Sequence, residues 1–209
     1  MRTILSKVLL FCLTFICNGQ VWQAYNASGK TASGAVYQAP GDIVTVNVPG
    51  LKAKTVLAFL TQSLPAPIDM TGDSFGYTVQ IDVSSGAYFP DFQYNGRSYP
   101  VSIRLWFSSD PDRYNFVHVN SANQGNYWWS NPLNVDLNTL AVLGPSLMQE
   151  TLSDPSRWSS ALGKRGSDIP AQFFSNASAV RQIGVSIGND NFFDLGCRVY
   201  NGTAVLHLK

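Results

Sequence analysis

Acidic and histidine chemistry is scarce in this chain. It has 13 Asp and Glu residues in 209, Glu150 is the one glutamate, and only His118 and His207 are histidines. Glycoside hydrolysis normally needs two carboxyl groups a few ångström apart across a cleft. Glu150 sits in Leu147-Met148-Gln149-Glu150-Thr151 without partner acids. Asp42, Asp73, Asp110, Asp112, Asp154, Asp168 and Asp190 fall in turn-like contexts, where a carboxylate commonly accepts from nearby backbone N–H groups. Asp82 with Asp91 is the pair left for such chemistry. No Gly-x-Ser-x-Gly elbow accompanies either histidine, so a serine triad has no anchor. Two histidines and one cysteine outside the leader are too few for a zinc centre.

Charge of either sign is also sparse. Charged residues make up 13% of the chain and the formal net charge is +1. Such a chain has no basic field to draw it to nucleic acid or anionic lipid. Cysteine is limited to Cys12, Cys17 and Cys197. The first two fall in an N-terminal leader, so the mature chain has no intrachain disulfide, and Cys197, beside Leu195 and Val199, reads as a buried thiol. No apolar run long enough to span a bilayer follows the leader.

The leader has the form of a secretory signal. Arg2 and Lys7 precede the apolar stretch Val8–Cys17, and Cys17-Asn18-Gly19 offers small residues for cleavage before Gln20. Lipidation at Cys17 is the rival, against which the bulky Phe15-Ile16 argues. Removing residues 1–19 leaves 12 basic against 13 acidic side chains. The expected product is exported, extracellular or periplasmic.

What remains reads as strand, turn, strand. Residues 20–41, rich in Gly, Ala, Ser and Tyr, suggest an extended arm or irregular first strand, and residues 42–209 one sandwich domain. Period-two alternation marks strands over 43–48, 75–83, 101–107, 181–188 and 203–209, and a continuous apolar run marks 55–60. Residues 114–120 add another strand. Asn95-Gly96, Asp110-Pro111-Asp112, Asn189-Asp190-Asn191 and Asn201-Gly202 mark turns. Two short helices are expected: one opened by Asp154-Pro155 and ending near Gly163, carrying Trp158, and one opened by Asp168 and Pro170, carrying Phe173 and Phe174. The fold class is all-β, a jelly-roll β-sandwich of two antiparallel sheets with one or two short helices.

Within it, one polar-and-aromatic face stands out. Ser102, Arg104 and Trp106 alternate against Val101, Ile103, Leu105 and Phe107, and Gln80 and Asp82 lie opposite Tyr77, Val79 and Ile81. Placed side by side, Gln80, Asp82, Arg104 and Trp106 would join Tyr127, Trp128, Trp129 and Asn131 in a platform for a sugar, whose C–H-rich face stacks on aromatic rings while its hydroxyls take polar partners. His118 could face the same surface with Asn120. Against this, one of the adjacent Trp128 and Trp129 belongs in the core, Trp158 is a plug for its helix, and Arg104 has a simpler use as a cross-strand partner of Asp82. No cofactor is implied, although the oxygen-rich turns at 110–112 and 189–191 could hold a structural calcium. Asn26, Asn176 and Asn201 fit the N-glycosylation pattern.

Arg104-Leu105-Trp106-Phe107, Tyr127-Trp128-Trp129-Ser130-Asn131-Pro132, Trp158-Ser159-Ser160, and Ile183–Gly188 followed by Phe192-Phe193-Asp194-Leu195-Gly196 together resemble secreted bacterial jelly-roll domains. These are similar to galactose-binding-like and carbohydrate-binding modules. The resemblance covers roughly 42–209, and departs from the pattern at Asn189-Asp190-Asn191, where a glycine run is usual. It implies a non-catalytic module binding a polysaccharide or glycan. A structural or adhesive envelope protein is the alternative, and a polysaccharide lyase or hydrolase ranks third.

Overall fold

A computed structural model describes residues 22–26, 36–37, 41–53, 56–110, 124–131, 135–189 and 196–209. The leader, the 114–120 strand with His118, and most of the 110–112 and 189–195 segments lie outside the described residues. Fourteen strands and two α-helices are described. In chain order the strands are β1 (Trp22–Tyr25), β2 (Val36–Tyr37), β3 (Val44–Val48), β4 (Phe59–Ile68), β5 (Ser74–Val83), β6 (Phe92–Tyr94), β7 (Arg97–Tyr99) and β8 (Ser102–Ser108). There follow β9 (Tyr127–Ser130), β10 (Val135–Asp136), β11 (Ser146–Thr151), β12 (Trp158–Ser160), β13 (Val180–Gly188) and β14 (Ala204–Leu208). The helices are α1 (Leu137–Leu143) and α2 (Pro170–Ala177).

Two antiparallel sheets form a sandwich. The seven-stranded sheet runs β1-β4-β13-β8-β9-β12, with β10 also on β8, and the five-stranded sheet runs β11-β5-β14-β3-β2. The 20–41 arm therefore gives each sheet an edge strand. Apolar side chains on the inner faces interlock: Val44, Val46, Tyr77, Val79, Ile81, Leu206 and Leu208 from one sheet meet Leu60, Ile103, Leu105, Phe107, Val185 and Ile187 from the other. Alternation in β3, β5 and β14 follows from this one-sided burial, because side chains in a strand project to opposite faces in turn. Cys197 lies in the same core, paired across a bridge with Leu57, and burial pushes its thiol well above the ordinary range, so it is unreactive.

Aromatic rings close one end of the core. Phe107 stacks on Trp128 with centroids 6.3 Å apart and meets Trp158 edge-on at 5.0 Å. Phe173 of α2 meets Trp128 edge-on at 5.0 Å, and Phe75 of β5 stacks on Trp158 at 5.8 Å. One ring set thus joins both sheets to α2. Asp154 caps a single 3₁₀ turn through the Ser156 N–H, but no helix continues from it. Trp158 starts a strand instead, because residues 158–160 pair with Ser130, Trp129 and Trp128 of β9. The helix expected over this stretch is corrected accordingly. The α2 helix, with Pro170 in its first turn, matches its sequence signal.

Two further features were not expected. The α1 helix is capped by Asp136, whose carboxylate accepts from the N–H groups of Asn138 and Thr139. β4 extends to Ile68 through Pro65 and Pro67, beyond the reach of β1, whose pairing ends at Gln62; there its second side is open and the missing N–H groups cost nothing. The turn expected at Asn95-Gly96 is present, as a two-residue hairpin between β6 and β7 with both residues at positive φ, 50° and 73°.

The seven-stranded sheet is buried on its outer face too. Tyr25, Ala58, Phe59, Trp106, Tyr127 and Trp129 form a second apolar cluster there. Phe59 and Trp106 belong to β4 and β8, which are separated by β13, yet their ring centroids lie 5.7 Å apart. They meet because β13 places Gly184 and Ser186 between them. A side chain at Gly184 has no room, since a Cβ there would lie 2.2 Å from the Leu60 carbonyl oxygen. Gly184→Val is expected to destabilise the fold by about 2–3 kcal/mol or more through overpacking. A urea-unfolding midpoint unchanged from that of the wild type would refute this packing.

Candidate functional site

The proposed sugar platform is dispersed by the topology. Gln80 and Asp82 are on β5 in the five-stranded sheet, whereas Arg104 and Trp106 are on β8 in the seven-stranded sheet. Both pairs point outward, so they occupy opposite surfaces of the sandwich and the side-by-side arrangement is corrected. The expected Arg104–Asp82 pair is corrected for the same reason. Arg104 is buried, and its Nη1 donates to the Ser130 carbonyl at 3.1 Å.

Folding also covers the rings. Trp106 and Trp128 are fully buried and Trp129 and Tyr127 are 2% exposed. Trp128 faces the inter-sheet core, while Trp106, Trp129 and Tyr127 share the outer cluster, with Trp106 stacked on Tyr127 at 6.5 Å. As folded, none of these rings offers a face to a ligand arriving from solvent. Asn131 fastens β9 to β12: its side-chain amide donates to Ser159 Oγ at 2.7 Å, the Ser159 hydroxyl returns a bond to its Oδ1, and its N–H reaches the Arg157 carbonyl.

Gln80 and Asp82 instead enter a polar network on the outer face of the five-stranded sheet. Period-two alternation places Thr45 (β3), His207 (β14), and Gln80 and Asp82 (β5) on that face, with His207 directly opposite both Thr45 and Gln80. His207 lies between two carboxylates, with Nδ1 2.6 Å from Asp42 Oδ2 and Nε2 3.1 Å from Asp82 Oδ2. A carboxylate oxygen only accepts, so the Nδ1 contact is a hydrogen bond donated to Asp42. Thr45 Oγ1 donates to the same Asp42 oxygen at 2.7 Å. Gln80 donates to Asp82 Oδ1 at 2.8 Å and accepts from Lys209 Nζ at 2.9 Å. The network crosses three strands and runs from the buried Asp42 to the exposed Asp82. Neither His207 nor Asp42 was singled out from the sequence for such a role; the signal was the outward phase of residues 205, 207 and 209, which places His207 over the neighbouring polar positions.

Chemically, the network holds charge in place rather than presenting a nucleophile. Thr45, the hydroxyl nearest His207, is fully buried and committed to Asp42. Burial pushes the Asp42 carboxyl up, but hydrogen bonds from Thr45 and His207, with the charges of His207 and Lys209, outweigh it and hold the group below its ordinary value of 3.8. Among the described residues, no group of three or more His, Cys, Asp or Glu side chains could hold a metal ion, and no helix is long and apolar enough to cross a membrane. Asp110 of the first calcium-candidate turn is buried, with its N–H on Ser108 Oγ; the rest of that turn is outside the described residues. Asn176 is buried, and its side-chain amide donates to the Gly125 carbonyl, so it is closed to glycosylation, whereas Asn201 stands in an exposed turn.

A different surface feature lies at the edge of the same sheet. Val142 and Leu143, at the end of α1, are 85% and 70% exposed, and Leu147 of β11 is 67% exposed. Only Gly144-Pro145-Ser146 separates Leu143 from Leu147. The single charge in β11, Glu150, turns inward and pairs with Arg157 Nε at 3.0 Å.

Because the folded Asp42 value is depressed, its stabilisation is complete above the ordinary aspartate value and is lost as pH falls through the folded one. Asp42→Asn should lower stability at neutral pH and make the acid limb shallower below the ordinary aspartate value of 3.8, relative to wild type. Urea midpoints measured from neutral pH down through the acid limb test this, and parallel limbs for the two proteins would sink it. No protein-family profile, characterised protein or solved structure matches this chain.

Proposed function

We propose that this chain is an exported, non-catalytic envelope protein of structural or adhesive type, acting through contacts between its sandwich and other protein chains. The carrying observation is the group Val142, Leu143 and Leu147, three large apolar side chains exposed within six positions at an edge strand whose one charge, Glu150, turns inward. Large apolar side chains exposed this close together in the chain are candidates for an interaction surface in a folded protein. Export rests on the leader, with its Arg2 and Lys7, the apolar stretch Val8–Cys17 and the small residues before Gln20.

A glycan-binding reading keeps one specific support. Gln80, Asp82, His207 and Lys209 form a polar band across an outer sheet face, and the resemblance to galactose-binding-like modules points the same way. Such a site would recognise hydroxyl groups by hydrogen bonds, without the stacking platform first expected.

Retention by envelope fractions of the source cell separates the two. A variant with Val142, Leu143 and Leu147 all changed to Ser should lose retention while folding normally, and Asp82→Ala should keep it. Loss with Asp82→Ala alone, together with signals on a glycan array that the same change removes, would overturn the protein-contact reading.

A further inference from the structure

We infer that β11 is a self-pairing edge, through which two copies of this chain join their five-stranded sheets into one continuous antiparallel sheet. This rests on the protein-contact reading above and names its partner.

The backbone pattern identifies which groups are open. Thr78 of β5 exchanges both of its hydrogen bonds with Lys209, on the β14 side. Alternation then directs Tyr77 and Val79 toward β11, where their register partners are Met148 and Ser146. The bond from Leu152 N–H to the Asp73 carbonyl continues the same phase. Leu147, Gln149 and Thr151 therefore point their N–H and C=O groups away from the sheet. Thr151 is occupied, since its carbonyl accepts from Trp158 Nε1 at 2.8 Å and its N–H reaches Glu150 Oε1. The open groups belong to Leu147 and Gln149, both exposed.

Other edges among the described residues are blunted. β12 has three residues, and its outer side is taken by Arg165 and Lys164. β2 has two residues and β1 four, against six for β11. Sheet edges are ordinarily protected by lysine, proline or an inward-pointing charge. Residues 146–151 contain no lysine and no proline, and the inward charge, Glu150, is neutralised by Arg157.

Charge selects the occupant. An acidic or basic strand would find no countercharge along Ser146–Gln149, whereas an uncharged stretch with alternate free N–H and C=O groups fits, and Ser146–Gln149 is itself such a stretch. With a two-fold axis at Met148, Leu147 lies opposite Gln149 of the second copy and the reverse, forming about four inter-copy backbone bonds. In this register the Leu147 side chains of both copies lie on the outer face beside the junction. A net charge of +1 for the full chain, or 12 basic against 13 acidic side chains without the leader, leaves little repulsion to overcome. The contact is small compared with a standard interface, so the equilibrium should depend on concentration.

Sedimentation of the purified protein from low to high micromolar should show a shift from monomer to about twice the monomer mass, as expected of a modest interface. Over the same range, hydrogen exchange at the Leu147 and Gln149 amides should slow, while Met148, already bonded to β5, should not change. Gln149→Pro, which removes an outward N–H, and Leu147→Lys, which places a charge on the edge, should each hold the protein monomeric with an unchanged urea midpoint. A monomer at every concentration overturns self-pairing, even where envelope retention persists as support for the broader reading. A dimer indifferent to both substitutions overturns it equally.

Discussion

A sheet that must be covered on both faces is the constraint on which this structure turns. β8 is buried from Ser102 to Ser108, with Ile103, Leu105 and Phe107 inward and Arg104 and Trp106 outward. Its neighbours β9 and β13 obey the same demand in different ways. β9 answers with large residues on both sides, Trp128 inward and Tyr127 and Trp129 outward. β13 answers with small ones, Gly184 and Ser186, so that Phe59 and Trp106 can meet across it. Large and small residues facing each other in alternation fill space at crystal-like density, and neither can change alone.

That constraint also explains what could and could not be read from the sequence. Where a sheet buries one face, alternation identifies both the strand and its inward side, and β3, β5 and β14 were legible in this way. In β8 alternation correctly separated two faces, but the outward one was taken as open to water. Alternation records that two surfaces differ; it does not record whether the second is wet. The tryptophans carried the same ambiguity, since an indole suits a stacking platform and a second apolar layer equally well.

Other features were hidden by local signals that tertiary structure overrode. Asp154-Pro155 is a sound helix start and does cap one turn, but pairing with three residues of β9 then claims Trp158–Ser160. Pro65 and Pro67 mask the second half of β4, and they are tolerated only because β1 ends before them. The α1 helix is too short for its periodicity to register, although Asp136 and Gly144 mark its ends in retrospect. The polar network was half visible. Gln80 and Asp82 were chosen correctly as outward residues, yet no local pattern could show that β14, distant in sequence, would bring His207 between Asp82 and Asp42.

The two sheets are thus finished differently, and this difference bears on what the surface can do. On the seven-stranded sheet, outward positions are spent on packing, leaving the rings within the protein. On the five-stranded sheet they are spent on charge and hydrogen bonds that cross β3, β14 and β5, from Asp42 through His207 to Asp82 and Gln80. That network reaches Lys209 but does not extend to β11, which is fixed from the opposite side by Glu150 to Arg157 and Trp158 to Thr151. Those two contacts hold the strand rigidly against the body of the sandwich and absorb its only charge, while leaving the backbone of Leu147 and Gln149 facing solvent. A strand held in this way loses little further conformational freedom on pairing, which lowers the entropic cost of association. A rigid, uncharged and unprotected edge beside exposed Val142 and Leu143 therefore suits contact with another chain better than it suits a free surface.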